Sequence, residues 1–221
     1  MIHQLARRPW LGKALSGLSV LLALVGVGML AYPFTTNLYQ GRLQDRLEGE
    51  LASGDLREKY ESRGLGEGDA LTRLEIPATG VDVVVVEGTS ASALRAGAGH
   101  YPATPLPGED GNVAVAGHRT TYGRPFHDND KIRPGNEIIL ETPLGRYVYR
   151  VLPPPEGALQ SDLPEGAAGF VVDSRNWTPI ANTPGRSIVT LTTCHPKGSA
   201  KYRLGVQAEL VKSEPPPTSP A

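Results

Sequence analysis

The sequence predicts a mainly β protein, an eight-stranded closed barrel with short helices, preceded by a transmembrane helix. Turn-forming residues are abundant, with 26 Gly and 20 Pro, whereas aromatic residues make up only 6% of the chain. Short apolar or alternating runs, typical of β-strands, fill residues 71–212. An uncharged run of 21 residues, from 14 to 34, comes before them.

The run from 14 to 34 is long enough for one helical crossing of a hydrocarbon core about 30 Å thick. Three basic residues precede it, Arg7, Arg8 and Lys13. The next Lys or Arg is Arg42, so the positive-inside rule leaves residues 1–13 in the cytoplasm and the rest outside the cell. A cleaved signal peptide is the alternative, but no convincing small-x-small cleavage site occurs around Ala31. We therefore expect a single-pass protein of the cell membrane.

Residues 35–70 are predicted to form a helical stalk and linker. Leucines spaced by four or five residues indicate an amphipathic helix that is interrupted near Gly54 and ends at Gly64. The run GLGEGD at 64–69 is typical of a flexible joint. We expect this segment to be a solvated spacer between the membrane and the folded domain.

Eight candidate strands lie within the predicted catalytic domain, residues 71–212. They are Leu71–Ile76, Asp82–Glu87, Asn112–Gly117, Glu137–Thr142, Arg146–Leu152, Phe170–Asp173, Ser187–Cys194 and Tyr202–Val211. A hairpin turn at 142–145 joins two of them, and a short helix is expected near Ser90. Eight short strands in about 140 residues favour a closed barrel. The tail, 213–221, lacks packing residues and is predicted to be disordered.

Charge and cysteine content exclude several functions. A formal net charge of −1 argues against binding to nucleic acid, which needs a basic face. The single cysteine rules out an internal disulfide and a four-cysteine metal site. Asp128, Asp130 and Glu137 could be a metal cluster, but acidic loops are usually solvated, so we predict no metal and no cofactor.

Three residues at strand ends are candidate catalytic groups. His118 follows the predicted strand NVAVAG, Cys194 ends SIVTLTTC, and Arg203 opens the last strand nine residues beyond the cysteine. A barrel can hold such residues at fixed positions in a shared cleft. His195 is a poorer partner for Cys194 because adjacent side chains on a strand point to opposite faces.

These three residue types suit acyl transfer. A thiolate is the working nucleophile, but a free Cys has a pKa of about 8.5 and needs a neighbour such as the His118 imidazole to lose its proton. Attack on an amide carbonyl builds negative charge on oxygen, which the permanent cation of Arg203 can stabilise. The product is a thioester of Cys194. An amine that reaches it before water forms a new amide, which makes the reaction a transpeptidation.

The same segments resemble the sortase family over most of residues 71–212. The segment His100–Arg119 is similar to the family's histidine region, TLTTC at 190–194 to its Thr-Leu-x-Thr-Cys motif, and Arg203-Leu204 to its arginine. The resemblance implies an eight-stranded sortase barrel with these three residues as a Cys-His-Arg active site. The run TCHPKGSA is most similar to class E sortases of high-GC Gram-positive bacteria, with classes D and F as alternatives.

The resemblance also implies the substrates. They are secreted surface proteins with a C-terminal Leu-Pro-x-Thr-Gly or Leu-Ala-x-Thr-Gly sorting signal, cleaved between Thr and Gly, and the acceptor is the amine of a lipid II-type cell-wall precursor. Thr193, next to the nucleophile, and Tyr122, after His118, are expected to bind substrate. The connection 153–169 is either a mobile specificity loop or a passive surface segment.

Two other functions remain open from the residues alone. A surface cysteine protease or amidase would use the same Cys-His pair with water as the acceptor. A non-catalytic, membrane-tethered β-domain that binds peptides or glycans would keep its function in Cys194→Ala. Ligation that depends on an added amine distinguishes the transpeptidase from both.

Overall fold

The computed structural model describes residues 9–160 and 162–216. Its helices are α1 (Pro9–Leu51), α2 (Gly54–Ser62) and α3 (Ala91–Ala96). Its strands are β1 (Ala70–Ile76), β2 (Val81–Glu87), β3 (Ala98–His100), β4 (Gly111–Gly117), β5 (Glu137–Thr142), β6 (Gly145–Val151), β7 (Phe170–Asp173), β8 (Ser187–His195) and β9 (Tyr202–Glu214). Residues 1–8 of the predicted cytoplasmic segment and 217–221 of the predicted tail lie outside the described residues.

Eight of these strands close into a barrel, which confirms the predicted fold class. The sheet runs in the order β6-β5-β1-β2-β3-β4-β8-β9-β7, and a further pairing of β6 with β9 closes the ring. The long strand β9 makes closure possible because one of its edges pairs first with β7 and then with β6. The short strand β7 therefore lies beside the ring of eight rather than within it.

The observed strands agree closely with the eight candidates, with two differences. The additional strand β3 has only three residues, Ala98–His100, so its pattern is too short to recognise in the sequence. Strand β9 continues to Glu214, whereas the disordered tail was predicted to begin at 213. Ser213 and Glu214 are ordered because they pair with Tyr147 and Arg146 of β6.

The barrel interior is filled by apolar side chains from nearly every strand. The fully buried residues there include Leu74, Val115, Phe126, Leu140, Tyr149 and Leu191. On β8, Val189 and Leu191 belong to this core. Because side chains alternate along a strand, Thr192 and Cys194 point to the outer face of the barrel.

A second apolar cluster forms on the outside of the barrel, where the end of α1 and all of α2 pack against β1 and β2. Leu47, Leu56 and Tyr60 are each at most 5% exposed and pack with Leu71, Val84, Val86 and Ala93, among others. Within the leucine stripe, Leu47 is buried and Leu43 and Leu51 are partly buried, whereas Leu38 is exposed. From Leu43 onward, the predicted solvated spacer is therefore a packed layer of the domain. The physical reason is the sequence VVVV in β2, which makes that strand apolar on both faces.

The predicted flexible joint at 64–69 is also tied to the domain. The Asp69 carboxylate accepts hydrogen bonds from Lys59 and from the backbone N–H of Gly66, both at 2.8 Å. The backbone of Asp69 accepts from the N–H of Glu87 at the end of β2. These bonds fix α2 to the start of β1 and the end of β2.

The first half of α1 is long and apolar enough to cross a membrane. Its apolar side chains, including Leu21, Leu24 and Val27, are exposed. The helix continues without a break to Leu51, so the apolar segment and the packed segment are parts of one helix.

Candidate active site

Three neighbouring strands bring the predicted catalytic residues to one rim of the barrel. Strands β4 and β8 are parallel, so their C-terminal ends lie side by side, and β9 is antiparallel to β8 and starts at the same rim. Cys194 lies directly opposite Arg203. On the other side of β8, Ala116 pairs with Thr192, and continuing that register by two residues brings His118 beside Cys194. By strand register, the nucleophile candidate is therefore flanked by His118 on the β4 side and by Arg203 on the β9 side.

The imidazole of His118 is half-buried at the start of the loop that follows β4. The Tyr122 ring packs on it with a centroid distance of 5.3 Å and an interplanar angle of 37°. The backbone carbonyl of His118 accepts a hydrogen bond from the N–H of Phe126, whose ring is in the core. Burial lowers the pKa of His118 below its ordinary value of 6.5, so the neutral imidazole predominates at neutral pH.

The guanidinium of Arg203 is partly exposed beside the thiol. Its Nη1 donates hydrogen bonds to the backbone carbonyls of Ala200 and Tyr202, at 2.9 and 3.1 Å. These bonds hold the guanidinium itself against the backbone around the start of β9. A fixed cation next to Cys194 is suited to stabilising negative charge that develops on a substrate oxygen.

The side chain of Thr193 does not face a substrate above Cys194. It points to the opposite face of β8, is 3% exposed, and donates a hydrogen bond of 2.7 Å to the backbone carbonyl of Gly117. The predicted substrate-binding role is therefore not supported for this side chain, because alternation along the strand turns it inward. Its hydroxyl instead fastens the end of β8 to the end of β4.

The outer face of the barrel has a groove next to Arg203 that the sequence did not indicate. It encloses about 150 Å³ and includes Tyr101, Trp177 and Thr192 in its lining. The hydroxyl groups of Tyr101 and Thr192 lie 3.2 Å apart, and the Tyr101 and Trp177 rings meet edge to face with centroids 6.2 Å apart. Trp177 is 63% exposed, so its apolar surface is available to a ligand. Thr192 lies two residues before Cys194. Because residues two apart on a strand point to the same face, the sequence could have placed Thr192 on the face of Cys194.

On the inner side of β8 beneath Cys194 lies a buried charge network centred on Arg119. The guanidinium of Arg119 is only 3% exposed; it lies 2.7 Å from Nδ1 of His195 and 3.2 Å from the carboxylate of Asp130. It also donates to the backbone carbonyl of Cys194 at 3.3 Å. Because arginine has no acceptor, Nδ1 of His195 must accept. Burial, and then the Arg119 charge, lower the pKa of His195, which favours this neutral form.

His195 therefore serves the structure on the inner side of β8, as the alternation rule indicated, and is not placed to exchange a proton with Cys194. A buried arginine of this kind leaves no pattern in the sequence. Arg119 follows His118 directly and reads as an ordinary loop cation.

The acidic residues considered as a metal cluster are paired with cations. Lys197 lies near both Asp128 and Asp130, and Glu137 is 3.8 Å from Arg150. Within residues 9–160 and 162–216, no group of three or more His, Cys, Asp or Glu side chains could hold a metal ion.

The connection 153–169 is fastened to the barrel at its C-terminal end. Ala168 is buried, and its N–H donates to the carbonyl of Ile132 at 2.8 Å. The amide of Gln160 donates to the carbonyls of Ala167 and Gly169. The role of this connection in specificity, like the contact of Tyr122 with substrate, stays a prediction.

Comparison with known proteins agrees with this geometry. A family profile described as "Sortase domain" matches residues 74–211, which covers the barrel from β1 to β9. The chain belongs to the sortase family. Curated relatives include sortase SrtE1 of Streptomyces coelicolor, 32% identical over 208 residues, 86% of this chain and 55% of that protein. The chain thus spans about half the length of the curated relatives it matches.

Solved sortase structures show the same fold. The SrtF sortase of Corynebacterium diphtheriae is 34% identical, with a TM-score of 0.60 over 71% of this chain and 93% of that one. Sortase E1 from Streptomyces coelicolor with a tripeptide in its active site is 30% identical, with a TM-score of 0.57 over 67% of this chain and 91% of that one. The class E relatives agree with the resemblance seen in the sequence.

We expect Arg119→Ala to lower the free energy of unfolding by about 3 kcal/mol, because it removes the buried guanidinium that both His195 and the Asp130 carboxylate contact. Denaturant unfolding of the full chain in detergent would measure the loss. Arg175→Ala is the matched control, since its side chain is 90% exposed, and it should change stability by less than about 1 kcal/mol. Equal stabilities of the two variants would contradict a supporting role for the buried network.

Proposed function

We propose that the protein is a membrane-anchored cysteine transpeptidase. In this proposal it cleaves a C-terminal sorting signal on secreted proteins and transfers them to an amine of the cell wall. The observation that supports the proposal most is the strand register at one rim of the barrel, in which Arg203 pairs with Cys194 and His118 follows the strand on the other side of β8. Membership of the sortase family, whose members are cysteine transpeptidases, supports it.

The first half-reaction forms a thioester. The neutral imidazole of His118 removes the proton of the Cys194 thiol, and the sulfur attacks the carbonyl carbon of the Thr–Gly bond. Negative charge develops on the carbonyl oxygen, where the guanidinium of Arg203 stabilises it. As the C–N bond breaks, the imidazolium gives its proton to the leaving glycine amine, and the threonine acyl group remains on sulfur.

The second half-reaction uses the same groups in reverse. The neutral imidazole of His118 takes a proton from the acceptor amine as that amine attacks the thioester carbonyl, again with Arg203 near the oxygen. The C–S bond then breaks, a new amide forms, and the sulfur of Cys194 recovers its proton. An amine held in the site before water arrives gives transpeptidation rather than hydrolysis.

The groove at Tyr101, Trp177 and Thr192 is the proposed site for the sorting signal. It borders Arg203 on the outer face and offers apolar aromatic surface to the residues that precede the scissile bond. The tripeptide in the active site of the sortase E1 structure supports a peptide substrate. The sorting signal proposed here is of the Leu-Ala-x-Thr-Gly or Leu-Pro-x-Thr-Gly kind.

Anchoring by α1 suits this reaction, with the N-terminus in the cytoplasm and the barrel outside the cell. A secreted substrate with its own hydrophobic tail, and a lipid-linked cell-wall amine of the lipid II type, lie in the same membrane plane. Confinement of enzyme and substrates to that plane raises their effective concentration.

Incubation of the full chain in detergent with Leu-Ala-x-Thr-Gly and Leu-Pro-x-Thr-Gly peptides, with and without triglycine, tests the function. Mass spectrometry should find an acyl adduct on Cys194, absent in Cys194→Ala, and a peptide joined at Thr to triglycine. Cleavage that triglycine does not divert would favour the protease alternative. A folded protein that forms neither adduct nor product would favour the binding domain.

We expect the pH dependence of kcat/KM to be a bell whose acidic limb lies below pH 6.5. Burial disfavours the imidazolium of His118, so the proton leaves at a lower pH than usual and the active state forms earlier on the pH scale. Initial rates of peptide cleavage from pH 4.5 to 10 would measure both limbs. A rate that does not fall on the acidic side, down to pH 4.5, would contradict the role of the neutral His118 imidazole as the base.

Arg203→Ala should lower kcat by roughly 100-fold to 1,000-fold and change KM little, because the guanidinium acts on charge that exists only in the transition state. Steady-state kinetics with the sorting peptide would show the split. Lys201→Ala removes a neighbouring exposed cation and is the control, expected to keep kcat. A higher KM with unchanged kcat in Arg203→Ala would instead make this residue a contact for ground-state binding.

A further inference from the structure

The segment of α1 that follows its apolar run contacts the loop after His118, here called the His118 loop and comprising residues 119–126. The side-chain oxygen Oδ1 of Asn37 accepts the backbone N–H of Gly123 at 3.0 Å. Five residues earlier, the hydroxyl of Tyr32 lies 3.4 Å from the hydroxyl of Tyr122. The membrane helix therefore reaches the residue that packs on the catalytic imidazole.

The His118 loop has a conformation that needs outside support. Three successive residues, Tyr122, Gly123 and Arg124, have φ values of 50°, 70° and 43°. Residues with side chains rarely adopt this left-handed region, and they stay there only when surrounding contacts hold them. Two of the three residues are contacted by α1. Asn37 accepts the backbone N–H of Gly123, and the Tyr32 hydroxyl lies next to the Tyr122 hydroxyl.

The approach of α1 to this loop is close. A Cβ atom at Gly123 would lie 2.5 Å from the side-chain oxygen of Gln40, so a larger residue there would displace the Gln40 amide. Both ends of the loop are connected to His118. The first loop residue follows His118 in the chain, and the last, Phe126, donates its N–H to the carbonyl of His118. A change at the tip of the loop is thus passed to His118 through the Tyr122 ring and through the loop backbone.

Two glutamines fix α1 on the barrel and make it a rigid support. The amide of Gln44 accepts the N–H of Val84 at 2.7 Å and donates to the carbonyls of Val84 and Ala96, at 3.0 and 2.7 Å. Gln40 donates to the carbonyl of Ala96 at 3.3 Å. The helix therefore has a defined position along its axis relative to β2 and α3.

We propose that the segment Tyr32–Gln44 of α1 is a positioning element for the catalytic histidine, with Asn37 as its main positioning residue. Asn37 holds Gly123, the left-handed loop keeps Tyr122 on the imidazole, and His118 is thereby kept half-buried beside Cys194. This inference rests on the proposed function, because it assigns Asn37 a part in the same reaction.

The placement has a consequence for the membrane. Asn37 lies three residues beyond the predicted end of the span at Phe34, which is about 4.5 Å along a helix. The His118 loop would then lie at the membrane boundary. A sorting signal directly followed by a hydrophobic tail would be presented at the same depth.

The test uses the full chain in detergent, with the active fraction of each preparation counted by alkylation of Cys194. Asn37→Ala removes the acceptor for Gly123 and should lower kcat about fivefold to tenfold, the scale of one hydrogen bond, with KM unchanged. Asn37→Asp keeps an acceptor oxygen and should restore kcat. Leu38→Ala, at the exposed neighbouring position, should match the unaltered protein.

The pH profile separates positioning from a general loss of structure. A loosened His118 loop exposes the imidazole, so its pKa rises towards 6.5 and the acidic limb in Asn37→Ala moves to higher pH. Unfolding alone would lower the active fraction without moving the limb. An unchanged kcat and limb in Asn37→Ala, or a failure of Asn37→Asp to restore them, would overturn the proposal.

A substrate-free measurement keeps the inference distinct from the proposed function. The pKa of His118 is followed by NMR in histidine-labelled protein, with and without Asn37→Ala, and the same upward shift is expected. If the unaltered protein neither cleaves nor ligates the peptides, the proposed function fails while this titration still decides the contact. If the peptides are ligated and the pKa does not move, the function stands and the positioning role falls.

Discussion

The parallel register between β4 and β8 is the constraint on which the active site depends. His118 and Cys194 are far apart in the sequence, and only the alignment of two strand ends makes them neighbours. The hydrogen bond from Thr193 to the carbonyl of Gly117 joins β8 to the last residue of β4 and so fixes this alignment. A slip of one residue would turn the thiol into the barrel, since successive side chains alternate between the faces of a strand.

The two faces of β8 at its end carry opposite kinds of chemistry. Outward, Thr192 lines the groove that also borders Arg203, and the Cys194 side chain points to the same face. Inward, Arg119 and His195 form a dense polar network that contacts the backbone of the nucleophile itself. Burying a cation is costly unless it is paired, so Arg119 keeps its position only while Asp130 and the neutral His195 stay in place. The network thus couples the rigidity of the thiol to groups that never meet the substrate.

Much of the fold and site was predictable because the signals were local. Alternating apolar residues marked eight strands, and the position of Cys194 and His118 at strand ends followed from the same pattern. The strand β3 was too short to detect. The packed position of α1 and α2 was not predicted, because a leucine stripe does not indicate which surface it packs against. The sequence VVVV in β2 does indicate a strand with two apolar faces, the outer of which must be buried by another element. Alternation placed His195 correctly, and the same rule applied to Thr193 would have turned that side chain inward.

The continuous helix α1 joins two requirements that are usually treated separately. The two requirements are attachment to a membrane and support of the His118 loop. Attachment alone needs only a long apolar helix, and a flexible linker after that helix would be sufficient. Here the helix continues into a segment whose glutamines bond to the barrel backbone and whose Asn37 bonds to the His118 loop. A tether bends without disturbing the site it carries, whereas a helix that bonds to the site transmits its own position. With α1 as the proposed anchor, the distance of Cys194 from the membrane follows from helical rise rather than from linker length, and the depth of the proposed cleavage site becomes a property of the fold.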